Sequence, residues 1–144
     1  MIRLEEINEN NWHVDLHVRT DQKKDVVSAE VLLAKAYAYR EHRSQARLIY
    51  RNERPVGMLM YFDDEESKAY DFDQVFVDEK YQGRGYGTAG VELALNLMRA
   101  DGKYDRVLVR HRESNKIAQK MYEKFGFVLT DEGEEDEIVL QKIL

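Results

Sequence analysis

Cysteine is absent from the 144 residues, which excludes a disulfide framework, a thiolate metal site and a cysteine nucleophile, and leaves nothing that requires an oxidising compartment. Proline occurs once and glycine eight times, with no repeats or low-complexity stretches, so no segment reads as a linker and residues 1–144 are taken as a single domain. No apolar run approaches the roughly 20 residues that span a bilayer, and the start, Met1-Ile2-Arg3-Leu4-Glu5-Glu6, is too charged for a signal peptide. A cytoplasmic protein without membrane association is the expectation. Clustered basic residues are also lacking: the formal net charge is -6 with acids spread along the chain, which argues against nucleic-acid binding through phosphate neutralisation. A small cationic substrate is easier to accommodate. What is present, 43% hydrophobic residues, suffices for one core and not for two ordinary domains.

Helical and strand periodicities alternate along the chain. The pattern predicts a strand over 2–7, a helix over 8–18 opening on Asn-rich capping residues, a polar stretch over 19–25, and a helix from the cap Ser28 to about Glu41 with Leu32, Ala36 and Tyr39 on one side. Residues 46–51 and 56–62 read as a hairpin around Asn52-Glu53-Arg54-Pro55, and 69–78 as a third strand. Alternation there puts Phe72, Gln74 and Phe76 on one face and Asp71, Asp73, Val75 and Val77 on the other. Val91, Ala94, Leu95 and Met98 recur at helical spacing over 88–100, stopped by Gly102. A short strand over 106–110, a helix over 115–125 stopped by Gly126, and two strands over 127–130 and 137–143 complete the pattern.

The chemistry concentrates where strand passes through a glycine loop into helix. In Gln82-Gly83-Arg84-Gly85-Tyr86-Gly87-Thr88, three glycines let the backbone approach a ligand closely. The first N–H groups of the following helix lack intrahelical partners and favour an anion such as a pyrophosphate. No Lys-Ser/Thr pair closes the loop as in a P-loop, and no full Gly-x-Gly-x-x-Gly fingerprint is present. A tight strand-to-helix turn is the ordinary alternative.

The stretch 77–87 closely resembles motif A of the GNAT superfamily of N-acetyltransferases, Gln/Arg-x-x-Gly-x-Gly/Ala, with Gln82, Gly85 and Gly87 in its fixed places. Residues 115–127 resemble the family's Asn-x-x-Ala-x-x-x-Tyr-x-x-x-Gly-Phe segment through Asn115, Ala118, Tyr122, Gly126 and Phe127. The resemblance implies an α/β (α+β) fold with a mixed, mostly antiparallel central sheet of about six to seven strands flanked by about four helices. It implies acetyl-CoA as co-substrate, without a metal. The amides of Gly83, Arg84, Gly85, Tyr86, Gly87 and Thr88 would hold the pyrophosphate, and the main chain of Phe76 and Val77 would pair with pantetheine. Asn115 would touch the pantetheine arm, and Tyr122 would donate a proton to the departing thiolate. Helical geometry aligns Asn115, Ala118 and Tyr122 on one line, with Ile117, Met121 and Phe125 on an adjacent core line. An aromatic packed on Phe125, its hydroxyl in water, is the alternative for Tyr122.

An alkylamine acceptor, with pKa near 10.4, costs about 4 kcal/mol to deprotonate at neutral pH, so a base or water relay is expected. Asp73, then Asp71, are the candidates, against plain ion-paired strand acids. The sequence is similar to bacterial spermine/spermidine (diamine) acetyltransferases over 22–28, where related chains more often carry an aromatic at Val26, and over 73–78. The expected partner is accordingly a small-molecule amine, with neither nucleic acid nor membrane, and a homodimer is left open. Acids at Asp71, Asp73, Glu134, Glu135 and Asp136 would attract a polyamine by charge, although the last three also read as a solvated turn. His13 and His17, one helical turn apart, lack the Glu and third ligand of a metal site. His111 carries no assigned role, and 63–66 reads as a polar loop. Three functions stand: an amine N-acetyltransferase acting by direct attack in a ternary complex, a protein or peptide N-acetyltransferase, and a non-catalytic acyl-CoA-binding domain.

Overall fold

A computed structural model describes residues 1–19 and 28–144. Strand β1 (Ile2–Glu6) precedes helix α1 (Ala29–Ala38). Ser28 caps α1, its Oγ accepting from Val31 N at 3.3 Å. The chain then forms the meander β2 (Gln45–Arg51), β3 (Arg54–Asp64) and β4 (Ala69–Val77). Helix α2 (Tyr86–Asp101), strand β5 (Arg106–Arg112), helix α3 (Lys116–Lys124) and strands β6 (Val128–Leu129) and β7 (Glu137–Ile143) follow. The seven strands form one sheet in the order β1-β2-β3-β4-β5-β7-β6, antiparallel except at β4–β5.

Two cores sandwich the sheet, as its alternating side chains require. Val91, Ala94, Leu95 and Met98 of α2, with Tyr122 of α3, cover Ile49, Leu59, Val107 and Val109. On the other face Leu32 of α1 packs with Leu48, Met58, Met60 and Phe76. The glycine stop after α2 is Gly102, left-handed at φ 72, its N–H donating to Met98 O.

The helix expected over 8–18 does not form, and the described residues contain three α-helices. Its Asn residues spend their side chains on local backbone: Asn8 N donates to Asn11 Oδ1, Asn10 N to Asn8 Oδ1, and Asn11 Nδ2 to Glu6 O, the competition that disfavours these residues inside helices. The chain then runs irregularly with Leu16 and Val18 buried and His17 exposed, and His17 N bonds Asp78 Oδ2 at 3.0 Å. His13 and His17 therefore do not share a helix face. The segment 22–28 that carries the looser similarity, including Val26, lies outside the described residues except for Ser28. Among the described residues no helix is long and apolar enough to cross a membrane.

Candidate active site

The cleft originates in one surplus residue. Met60 pairs with Gln74 and Tyr61 with Phe72, so Asp73 is a bulge without an opposite number on β3. A bulge bends its strand and resets its alternation. Phe72 consequently joins the core under α2 and α3 together with Val75, whereas Phe76 joins the core under α1. The expected shared face of Phe72, Gln74 and Phe76 is thereby corrected. Just before the bulge, β4 and β5 pair only at Tyr70–Val107 and Asp71–Leu108, then part. The gap is a cleft of about 870 Å³ running from Asp73 along β4 to the glycine loop, walled on the other side by β5 and α3. Beyond Asp71 the β5-facing edge of β4, including Phe76 and Val77, has no strand partner.

At one end of the cleft Asp78, fully buried, accepts from Lys80 N at 2.9 Å and from His17 N at 3.0 Å, and Gln82 Nε2 donates to Val77 O at 3.0 Å. These bonds hold the loop against the end of β4. Gly83 and Gly85 adopt φ of 78° and 81° in open space, so backbone conformation explains glycine there. At Gly87 a Cβ would come within 3.3 Å of Val77 Cγ2. Gly85 caps α2 without a side-chain bond and the first turn carries no acid, so the positive helix end and the amides of Tyr86, Gly87 and Thr88 are not neutralised by a carboxylate on that turn. Arg84 adds positive charge beside the loop, 5.9 Å from the Tyr81 ring. A pyrophosphate fits this end.

Helix α3 lines the opposite wall with Asn115, Ala118 and Tyr122. Asn115 is its N-cap, Oδ1 accepting from Ala118 N at 3.2 Å, which commits that oxygen to the helix and leaves Nδ2 for a ligand. Ile117, expected in the core, is 71% exposed at the cleft, while Met121 and Phe125 do pack inward. Ala118, Met121, Tyr122 and Phe125 pack against the core, which leaves position 117 on the outward side of this short helix.

The far end of the cleft holds the ionisable groups. Tyr122 is buried and packs edge-on to Phe72 and Phe127, centroids 6.3 and 5.5 Å away, rather than on Phe125. Burial first, then the charges of Asp73 and Asp71, push its phenol above its ordinary range. Asp73 Oδ1 accepts from Lys35 Nζ at 2.8 Å, and its Oδ2 is buried without a partner. Asp71, behind it and 7% exposed, is pushed up to about 6 by burial, with Arg110 opposing and Asp73 reinforcing. Arg110 is surrounded by Asp71 at 3.3 Å and by Asp64 and Glu137, each at 3.5 Å.

Two residues with no assigned role also belong here. Lys35 reaches the site from α1, invisible to motif reasoning because a lysine on a helix ordinarily faces water. His111 lines the cleft; its Nδ1–H donates to Arg112 O at 2.7 Å and its Nε2 is buried and unpartnered. Glu134, Glu135 and Asp136 are exposed. Asp63, expected in a polar loop, is instead 3% exposed on β3 and bound by Arg43 and Lys103. Among the described residues no group of three or more His, Cys, Asp or Glu is placed to hold a metal ion.

The sequence model of the acetyltransferase (GNAT) family matches residues 5–127. Among characterised proteins, the spermine/spermidine N(1)-acetyltransferase of Bacillus subtilis is 27% identical over 125 residues, 83% of this chain and 81% of that protein. Among solved structures, the acetyltransferase of Salmonella typhimurium that modifies the N-terminal serine of ribosomal protein L7/L12 superposes with a TM-score of 0.74 at 15% identity, over 99% of this chain and 95% of that one. A GNAT acetyltransferase from Elizabethkingia anophelis with acetyl-CoA bound gives 0.67 at 18% identity, over 99% and 98%. The overall fold is thus shared with these acetyltransferases, and with the family match across most of its length the chain belongs to the GNAT family of acetyl-CoA-dependent N-acetyltransferases.

Proposed function

We propose that this enzyme moves the acetyl group of acetyl-CoA to a small cationic primary amine of the polyamine kind, by direct attack in a ternary complex. The observation that carries the reading is Asp73: a carboxylate on the cleft wall with one oxygen buried and unpartnered. A buried acceptor without a donor costs about 1–3 kcal/mol, and an alkyl ammonium supplies the missing N–H with a charge to match. Arg110 does not spoil this polarity, because Asp64, Asp71 and Glu137 surround it. The similarity to the Bacillus spermine/spermidine enzyme points the same way.

Bound acetyl-CoA supplies the thioester carbonyl as electrophile. The amides at the start of α2 hold the pyrophosphate, and the open edge of β4 at Phe76 and Val77 takes the pantetheine arm as an added strand would be taken. Asn115 Nδ2 and the small Ala118 face that arm. Asp73 anchors the acceptor nitrogen and passes its proton on, directly or through water. Tyr122 keeps its own proton tightly, since burial and two nearby carboxylates oppose its ionisation, so it serves the departing sulfur as a hydrogen-bond donor more than as a strong acid.

Acetyl-CoA consumption measured against polyamines, amino acids, aminoglycosides and peptides tests the reading. Turnover should be highest with polyamines and should collapse in Asp73→Asn. Selective turnover of peptides would reject the polyamine acceptor, and an undiminished Asp73→Asn would reject the anchor.

A further inference from the structure

An ammonium anchored on a carboxylate is stabilised in its charged form, which opposes attack on a thioester: the lone pair is needed, and a primary alkylamine already holds its proton about three units above neutral pH. The fold contains a group that works against this. Lys35, near the end of α1, places Nζ 2.8 Å from Asp73 Oδ1 and 5.4 Å from the centroid of the Tyr39 ring. The other oxygen of the same carboxylate is the buried, unpartnered one. An acceptor on that oxygen therefore shares a single negative charge with a resident cation. Two like charges on one carboxylate disfavour each other's protonated form. Lys35 is held in place by its ion pair and aromatic contact, and the acceptor nitrogen, desolvated at Oδ2 beside this resident cation, is disfavoured in its charged form.

We propose that Lys35 is a positioning residue for the acceptor: it occupies Asp73 Oδ1 as an ammonium, leaves Oδ2 for the substrate amine, and eases the loss of that amine's proton. This rests on the amine-acceptor reading above. Among the described residues the other ionisable groups around the pair include Tyr39 beside Lys35, Asp71 on β4, Arg110 and His111 on β5 and Tyr122 on α3, and none of these side chains is altered when Lys35 is changed. In the transfer the nitrogen bonds to the acetyl carbon and the C–S bond breaks. Of the two protons the ammonium loses, one leaves for solvent past Asp73 and one balances the thiolate as thiol.

The test compares the wild-type enzyme with Lys35→Met and Lys35→Arg, reading kcat and KM for spermidine from mildly acidic to alkaline pH at saturating acetyl-CoA, with acetyl-CoA affinity as the check on folding. Loss of the resident cation should tighten the ammonium and slow its deprotonation. For Lys35→Met the KM for spermidine should fall several-fold, the acid limb of the kcat profile should move up by about one pH unit, and kcat at neutral pH should fall about tenfold. Lys35→Arg keeps the charge and should restore the limb. An unmoved limb in a Lys35→Met protein that binds acetyl-CoA normally overturns the role of Lys35 and leaves the amine reading standing. A faster Lys35→Met enzyme also overturns it, because Lys35 would then be a plug. Absence of turnover with any small amine in the wild type removes the amine reading and this inference with it.

Discussion

Burial acts on Tyr122 and Asp71 in the same direction, holding a proton on each, with different consequences. Tyr122 faces the cleft and is packed by Phe72 and Phe127, so Tyr122→Phe keeps the packing and removes only the hydroxyl. We expect kcat to fall by about 10²-fold, the scale of losing one hydrogen-bond donor to developing charge, with acetyl-CoA affinity nearly unchanged; undiminished turnover would remove Tyr122 from the mechanism. Asp71 is a matter of stability. Its folded-state pKa of about 6 lies above the ordinary 3.8, so the folded state holds a proton that the unfolded chain releases earlier. This contribution is fully present below the unfolded value and is lost as pH rises through 6. Asp71→Asn cannot lose it, so denaturant titrations should show the variant gaining on the wild type by about 2 kcal/mol between pH 4 and pH 7. A pH-independent difference would contradict the assignment. The alignment of Tyr122 with Asn115 was legible from helical spacing; the environment of Asp71 was not, because its counter-ion stands on β5, 39 residues away.

Among elements, α2 shows how local pattern and distant charge combine. Its apolar stripe and Gly102 stop were plain in the sequence, but its C-terminal end is tied down by a network no periodicity reveals. Arg43, left-handed at φ 52, reaches Asp63 at 2.7 Å and Asp101 at 2.9 Å, and Lys103 reaches Asp63 at 2.8 Å. Asp63 is buried while both cations are partly exposed, so one cation suffices and removing both strands a charge. Arg43→Met or Lys103→Met alone should cost about 1 kcal/mol, and the double variant about 3–5 kcal/mol, well beyond additivity. Equilibrium unfolding of the four proteins measures this, and simple additivity would refute it. Over 8–18 the elements misled: asparagines that suit a helix start closed local turns instead, and the rest of the segment docked against Asp78.

For the whole molecule, the decisive feature is the parting of β4 from β5 after two residue pairs. An open strand edge inside a domain is a liability unless something adds to it, and the addition we propose here is the pantetheine arm. Amide exchange should reflect this: the β4 amides of 74–77 and the loop amides of 83–88 should gain protection on adding CoA, while β2 and β7 stay as they were. Protection confined to α1 would place the nucleotide elsewhere.

The glycine loop, the helix behind it and the Asn115–Ala118–Tyr122 line were determined by the sequence alone, because each is a local pattern whose meaning lies in backbone conformation and helical pitch. The cleft between them was decided by tertiary structure. One unpaired residue, Asp73, shifts the strand's phase, and that surplus exists only relative to the register of β3. The same pairing of distant elements brings Lys35 to Asp73 and Arg110 to Asp71. Electrostatic partners across a sheet are set by register and packing rather than by neighbourhood in the chain.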